Sequence, residues 1–584
     1  MTEEINYSYD GGLYAEMVRN RTFRNAWKGQ QHWLVVEQGE SKVEMKAGTE
    51  GPSAALPNSL LLEVKGASDK DQAGIANDGY WGMALQPSTV YQGSFYAKPS
   101  GVHAARLRLV ANRTGATLAE TTIRTSDSDW KRFAFTLKTG PDVGVGAANH
   151  LELTFDHAGS VELQLVSLFP PTFQDRPNGN RPDLMKMMAA MHPHFLRLPG
   201  GNYLEGDTVK DRFNWKETIG PLVDRPTHRS PWNYQSNDGM GLLEFLEWCE
   251  DLKVEPVLAV FAGYSLHGEH VVGKDLEPFI QEDLDEVEYV TGDKSTKWGA
   301  LRARDGHPEP FPLHYIEIGN EDWFDKAKTY DDRFDQIANA IRGKYGRRYS
   351  LIATMPIKKG NPDLIDDHYY QTPEEFFAMD KKYDTMDRKG PKIFIGEWAT
   401  RTGSPTPDFG AALGDAAWMT SMERNSDLIE LASYAPLLTN VNPGGMQWTT
   451  DLIGYTADKA YGSPSYWAQV LFGQHIGDHL AKTEGSGLNS RFFWSATVST
   501  GQKMLHLKLV NASDREQPLT IDLVGASQGA PTIYRLHADS RFATNTIDQP
   551  NTIEPQTSKE TIASTSWKHN VAANTIEVID IPLK

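Results

Sequence analysis

The chain has 584 residues, too many for one hydrophobic core, and calls for roughly two to four domains. Its formal net charge of −19 argues against a nucleic-acid or anionic-membrane partner, and no apolar run approaches the ~20 residues of a membrane span. A single cysteine, Cys249, leaves no disulfide to form within the chain and says nothing about compartment.

The opening residues, MTEEINYSYD, have neither a basic stretch nor an apolar one, so no signal peptide is expected. A secreted or periplasmic location would need a leader outside this sequence. From about 31 to 172 the chain reads as short alternating segments, among them SLLLEVKG, YQGSFYAKP, ARLRLVANR and VELQLVSLF. Gly, Pro, Asn and Asp separate them, which predicts a β-sandwich. In NDGYWGMAL, Tyr80 and Trp81 are candidates for stacking on sugar faces, with core or edge packing as the alternative.

From 173 to 480 the period changes. LMKMMAAM reads as helix, HFLRLPGG as strand, GLLEFLEWCEDL as helix with Cys249 among its small apolar residues, and VEPVLAVFAG as strand. HYIEIGNE, the helix RFDQIANAIRGKYG, YSLIATM, LIDDHYY and KIFIGEWAT follow. A long helical run is expected over 410–438, then a strand in MQWTTDLIGYT. Near-continuous apolar strands alternating with helices predict an α/β fold, a (β/α)8 TIM barrel with its active site at the strands' C-terminal ends. From HFLRLPGG onward the strands number seven, so residues 1–30 must supply the first one. From 481 to 584 alternation returns (FFWSATVST, KMLHLKLVN, NTIEVIDIPL), predicting a C-terminal β-sandwich.

Two strands each deliver one glutamate: Glu321 follows HYIEIGN, and Glu397 follows KIFIG. A carboxyl pair across a barrel mouth is what glycoside hydrolysis needs, one protonating the leaving oxygen and one attacking carbon. Arg197 and His368 can tune that pair, and Asn320 can hydrogen-bond a hydroxyl beside the reacting carbon. Strand-end glutamates also cap helices or pair with arginines. A metal site at Asp366, Asp367 and His368 is a weaker reading, because adjacent strand residues point to opposite faces.

GGLYAEMVRNRTF, FLRLPGGNY, IEIGNE, DDHYY, GEWAT and ASYAPLL together resemble the α-L-arabinofuranosidases of glycoside hydrolase family 51. The resemblance implies a retaining enzyme with catalytic glutamates after barrel strands four and seven. It makes Glu321 the general acid/base and Glu397 the nucleophile, with Glu3, Asn202, Asn320 and Tyr370 binding the sugar and Arg197, His368 and Trp398 in support. It also likens residues 31–172 to a carbohydrate-binding-module-like insertion and places the first barrel strand around Glu3–Tyr7. Where relatives carry a glutamine before strand eight, this chain reads APLLTNVNPGGMQW. The implied activity is exo-hydrolysis of terminal α-L-arabinofuranosyl groups of plant polysaccharides, with no cofactor and no metal. An endo-β-1,4-glucanase on the same frame and a non-catalytic polysaccharide-binding protein are the alternatives; oligomeric state is open.

Overall fold

The computed structural model describes residues 1–24, 30–68, 70–524, 530–561 and 565–583. Two five-stranded antiparallel sheets form the inserted sandwich, running from the strand Trp33–Glu37 to the strand Gly159–Phe169. Alternate residues of both sheets, such as Leu60, Leu62, Phe95, Leu107, Leu153 and Leu163, meet in one core.

Seven parallel strands follow in sequence order: Phe195–Leu198, Glu255–Val260, Tyr315–Ile318, Ser350–Ala353, Leu364–Gln371, Lys392–Thr400 and Ile429–Tyr434. They make a nearly closed TIM barrel. The intervening helices bury one apolar stripe. In Leu242–Leu252, Leu242, Phe245, Leu246 and Cys249 recur at helical spacing and are all buried, and Lys253 ends the helix in the left-handed region at φ 58°. The C-terminal domain packs a six-stranded sheet with a two-stranded one. Among the described residues no helix is long and apolar enough to cross a membrane.

Two expected elements differ. The helix over 410–438 ends at Arg424, and Ile429–Tyr434 is the seventh barrel strand. The break falls at Asn425, Ser426 and Asp427, residues that favour turns over helix interiors. The strand expected in MQWTTDLIGYT is only Ile453–Tyr455, in a small separate sheet with Leu438–Asn440 and Ala460–Gly462.

Residues 3–7 are not a barrel strand. Asn6 and Tyr7 both have positive φ (54° and 56°), and Ser8 N–H bonds Ile5 O at 2.8 Å, so the segment turns instead of extending. It is nonetheless buried from Met1 to Asn6 and lies between the ends of the first and seventh strands. Tyr203 N–H donates to Glu3 on one side, and the Met1 amino group donates to the carbonyl of Tyr434, at the end of the seventh strand, on the other.

Candidate active site

The barrel interior is built in layers two residues apart, because side chains on a strand alternate. Its floor is apolar: Phe195, Val257, Tyr315, Ile352, Leu364, Phe394 and Leu431, one from each strand, pack together. Two residues further along three of those strands stand Arg197, Glu317 and Asp366, all fully buried. Three such groups can be held there because they satisfy one another. Arg197 Nε and Nη2 bond the two Glu317 oxygens at 2.5 and 3.0 Å, and Nη2 lies 3.8 Å from Asp366 Oδ2.

Above this layer the catalytic candidates converge. Arg197 Nη1 donates to Glu397 Oε1 at 2.7 Å and Nη2 to Asn320 Oδ1 at 2.8 Å. Tyr370 Oη donates to Glu397 Oε2 at 2.6 Å. His368 Nδ1 lies 2.8 Å from Glu321 Oε1 and 3.6 Å from Glu397 Oε2, and its Nε2 lies 2.7 Å from Asp366 Oδ2. A carboxylate oxygen of Glu321 and one of Glu397 come within 4.8 Å of one another. Burial alone would lower the His368 pKa, but the Asp366 and Glu397 carboxylates raise it well above the usual imidazole value, so both ring nitrogens donate.

Glu397 faces inward because of a bulge. Asp366 pairs with Phe394, but His368 pairs with Glu397, so the Lys392–Thr400 strand carries one extra residue at this point. Strict alternation from Phe394 would have turned Trp398 inward. Instead Trp398, expected in support of the site, is buried against Phe376 and Tyr434, outside the polar network and packed behind the strand. Gly396 sits at the bulge, where a Cβ would come within 2.4 Å of Asp366 Oδ1. Glu321 itself adopts φ 44°, ψ 35°, a left-handed turn that lifts its carboxyl toward His368.

Glu3 and Asn202 also reach the rim. Glu3 Oε2 accepts from Tyr203 N–H at 2.6 Å, and burial together with the nearby Glu397 charge pushes its pKa up to about 8. Asn202 Nδ2 donates to Glu205 Oε2 at 3.0 Å, and Asn320 Nδ2 donates to the same oxygen at 2.8 Å. Of the adjacent acids in DDHYY, Asp366 faces the site while Asp367 accepts from Tyr369 Oη on the other side of the strand.

Sequence reasoning missed Glu317, Glu205, Trp448 and Trp323. Glu317 had a signal, an acid in mid-strand in phase with the inward residue Tyr315. Glu205 stands three residues after Asn202 on the one-turn helix Asn202–Glu205, a spacing that brings side chains together. Trp448 lies edge-on to Tyr370 (5.5 Å) and Trp323 edge-on to His368 (5.1 Å). Trp448 stands on a loop and Trp323 on the one-turn 3-10 helix Asp322–Phe324, segments too short or irregular for sequence pattern to place a side chain. Gln447 lies in the loop between Leu438–Asn440 and Ile453–Tyr455 of the small sheet, and its Oε1 accepts from Asn6 N–H at 2.8 Å.

Tyr80 and Trp81 face the barrel. Tyr80 is buried, its hydroxyl accepting from Asn237 Nδ2 at 2.9 Å. Trp81 Nε1 donates to Pro443 O at 3.0 Å, the Arg19 guanidinium lies over its ring, and Tyr7 meets it edge-on.

Residues 187–388 match the model of the α-L-arabinofuranosidase 1 domain, and residues 396–574 that of the α-L-arabinofuranosidase C-terminal domain. The α-L-arabinofuranosidase A of Aspergillus kawachii is 35% identical over 551 residues, covering 91% of this chain and 86% of its own length. The α-L-arabinofuranosidase 1 of Arabidopsis thaliana is 31% identical, covering 95% and 83%. The structure of an arabinose-bound family 51 α-L-arabinofuranosidase, MgGH51, superposes with a TM-score of 0.93 at 34% identity, covering 100% of this chain and 97% of that one. On the domains, the length of the match and the superposition together, this chain belongs to the α-L-arabinofuranosidases of glycoside hydrolase family 51.

Proposed function

We propose that the protein removes terminal α-L-arabinofuranosyl groups from arabinose-containing polysaccharides and oligosaccharides by a retaining double displacement. Glu397 attacks the anomeric carbon while Glu321 protonates the leaving oxygen. Glu321 then takes a proton from the water that hydrolyses the arabinosyl-enzyme. The observation carrying this reading is the approach of the two carboxylates to within 4.8 Å, on the side of the ~5–5.5 Å retaining spacing and short of the ~6.5–9.5 Å inverting one.

Their surroundings support the division of roles. Glu397 accepts from both Arg197 and Tyr370, one on each oxygen, which fixes its carboxyl in the barrel mouth as an attacking group requires. Glu321 is half-buried at the rim, where a leaving group enters. Glu3, Asn202 and Asn320 surround the position of the sugar ring and supply its hydroxyl partners. The inserted sandwich, with its loop at 79–82 docked on the barrel, shapes the cleft wall.

A paired assay tests the reading: an aryl α-L-arabinofuranoside against carboxymethyl-cellulose. Turnover of the first alone is expected. Hydrolysis of the cellulose derivative without the arabinofuranoside would establish an endo-glucanase, and turnover of neither, with glycan still bound, a binding protein.

A further inference from the structure

Glu205 is a buried carboxyl that the two-glutamate mechanism does not use. One of its oxygens, Oε2, accepts from Asn202 Nδ2 and from Asn320 Nδ2; the other, Oε1, is buried without a hydrogen-bond partner among the described residues. The backbone that carries it is anchored: Ser265 Oγ donates to the Glu205 carbonyl at 2.8 Å, and Leu266 N–H to that of Gly206 at 3.0 Å. From this geometry we infer that Glu205 is a positioning residue that fixes the amide orientation of both Asn202 and Asn320 in the sugar subsite. The inference rests on the proposed sugar-binding role of those two asparagines.

An asparagine amide offers an acceptor on one side and donors on the other, and either can face the ligand. For Asn320 the choice is forced from two directions. Arg197 has only donors, so Asn320 must turn Oδ1 toward it, which aims Nδ2 at Glu205. The second Asn320 N–H then remains for a sugar oxygen. For Asn202 only Glu205 makes the choice: Nδ2 is drawn to Oε2, and Oδ1 is left to accept from a sugar hydroxyl. Without an acceptor at Glu205 the half-buried Asn202 amide is free to present either end.

Burial raises the Glu205 pKa well above the usual carboxyl range, with Asp322 and Glu321 adding to the rise. A neutral acid serves this role: the proton sits on Oε1, and Oε2 keeps both amides. A glutamine serves it too, provided its oxygen faces the asparagines. Arg197 enforces that choice by holding Asn320 as a donor.

The test is kinetic, on an aryl α-L-arabinofuranoside, with free arabinose as competitive inhibitor. Glu205→Leu should lower kcat/KM roughly 10–100-fold and weaken arabinose inhibition to a similar degree, the loss of two buried hydrogen bonds. Glu205→Gln should recover most of that loss. In an Asn202→Ala, Asn320→Ala background, Glu205→Leu should cost less than ~3-fold, because its targets are gone. A full penalty for Glu205→Leu in that background overturns the proposal. So does a Glu205→Gln variant as weak as Glu205→Leu. If the leucine variant does not fold, the glutamine variant decides alone: a loss in arabinose affinity above about tenfold overturns the proposal and a smaller one supports it. An Asn202→Ala, Asn320→Ala enzyme with parental kcat/KM would refute the sugar-binding role itself, a failure distinct from that of Glu205.

Discussion

The imidazole of His368 bonds Glu321 directly, Nδ1 to Oε1 at 2.8 Å, while its other nitrogen is held by Asp366. Ring tilt and charge are thereby set from behind the acid/base candidate. The His368 pKa is raised, so its stabilising contribution is complete below the unfolded value of about 6.5 and is lost as pH rises through the folded value. His368→Gln should therefore cost most at about pH 5.5, on the order of 3–5 kcal/mol for a broken buried charge pair, and progressively less toward alkaline pH. Thermal unfolding of parent and variant across that range checks this; a penalty that grows with pH contradicts it.

The two glutamates should separate kinetically. Glu397→Ala should lose essentially all turnover. Glu321→Ala should lose ~10²–10⁴-fold on arabinosides with poor leaving groups but retain much of its rate on activated aryl arabinosides, which need little protonation. Azide should accelerate that variant by replacing water in the second step and yield an arabinosyl azide of retained configuration. Azide rescue of Glu397→Ala with a product of retained configuration, and of Glu321→Ala with an inverted one, is what exchanged roles would produce.

Glu3 should make the protein less stable as pH rises. Its folded pKa, about 8, lies above the unfolded value, so the folded state binds the proton more tightly. Stability is then lost as pH climbs from about 4.5 through 8, by an amount on the order of a few kcal/mol. Glu3→Gln, which cannot ionise, should gain on the parent across that window in denaturant unfolding. A constant difference between the two at all pH values would exclude an ionising Glu3 in the folded site.

Trp81 should behave as a docking residue. Trp81→Ala removes the hydrogen bond to Pro443 and the contacts with Arg19 and Tyr7. A loss of about 1–3 kcal/mol in stability is expected for this half-buried ring, with binding to insoluble arabinoxylan unchanged. Weakened arabinoxylan binding at parental stability would return the ring to a sugar-stacking role.

Much of this protein was legible before folding. The alternation of apolar strands and helices gave the barrel, the period-2 segments on either side gave the sandwiches, and two glutamates at strand ends gave the proposed catalytic pair. Those signals are local: each rests on a few consecutive residues whose side chains must face a core or a rim. Arg197 was legible as a tuning residue, because a charge in mid-strand needs buried partners. The identity of those partners was not. Glu317 lies 120 residues from Arg197 and Glu397 lies 200 from it, and only closure of the barrel makes them neighbours.

Tertiary structure decided the rest wherever one residue of register matters. Strict alternation would aim Trp398 at the sugar and Glu397 at the helices; the single extra residue opposite His368 reverses both. The expected first strand at Glu3–Tyr7 became a buried turn because Asn6 and Tyr7 take left-handed conformations, which hydrophobic pattern does not encode. Loops and single turns set the remainder. Trp448, Trp323 and the docked Trp81 are placed by contacts with distant segments, so their side chains acquire a role only when the chain has closed around them.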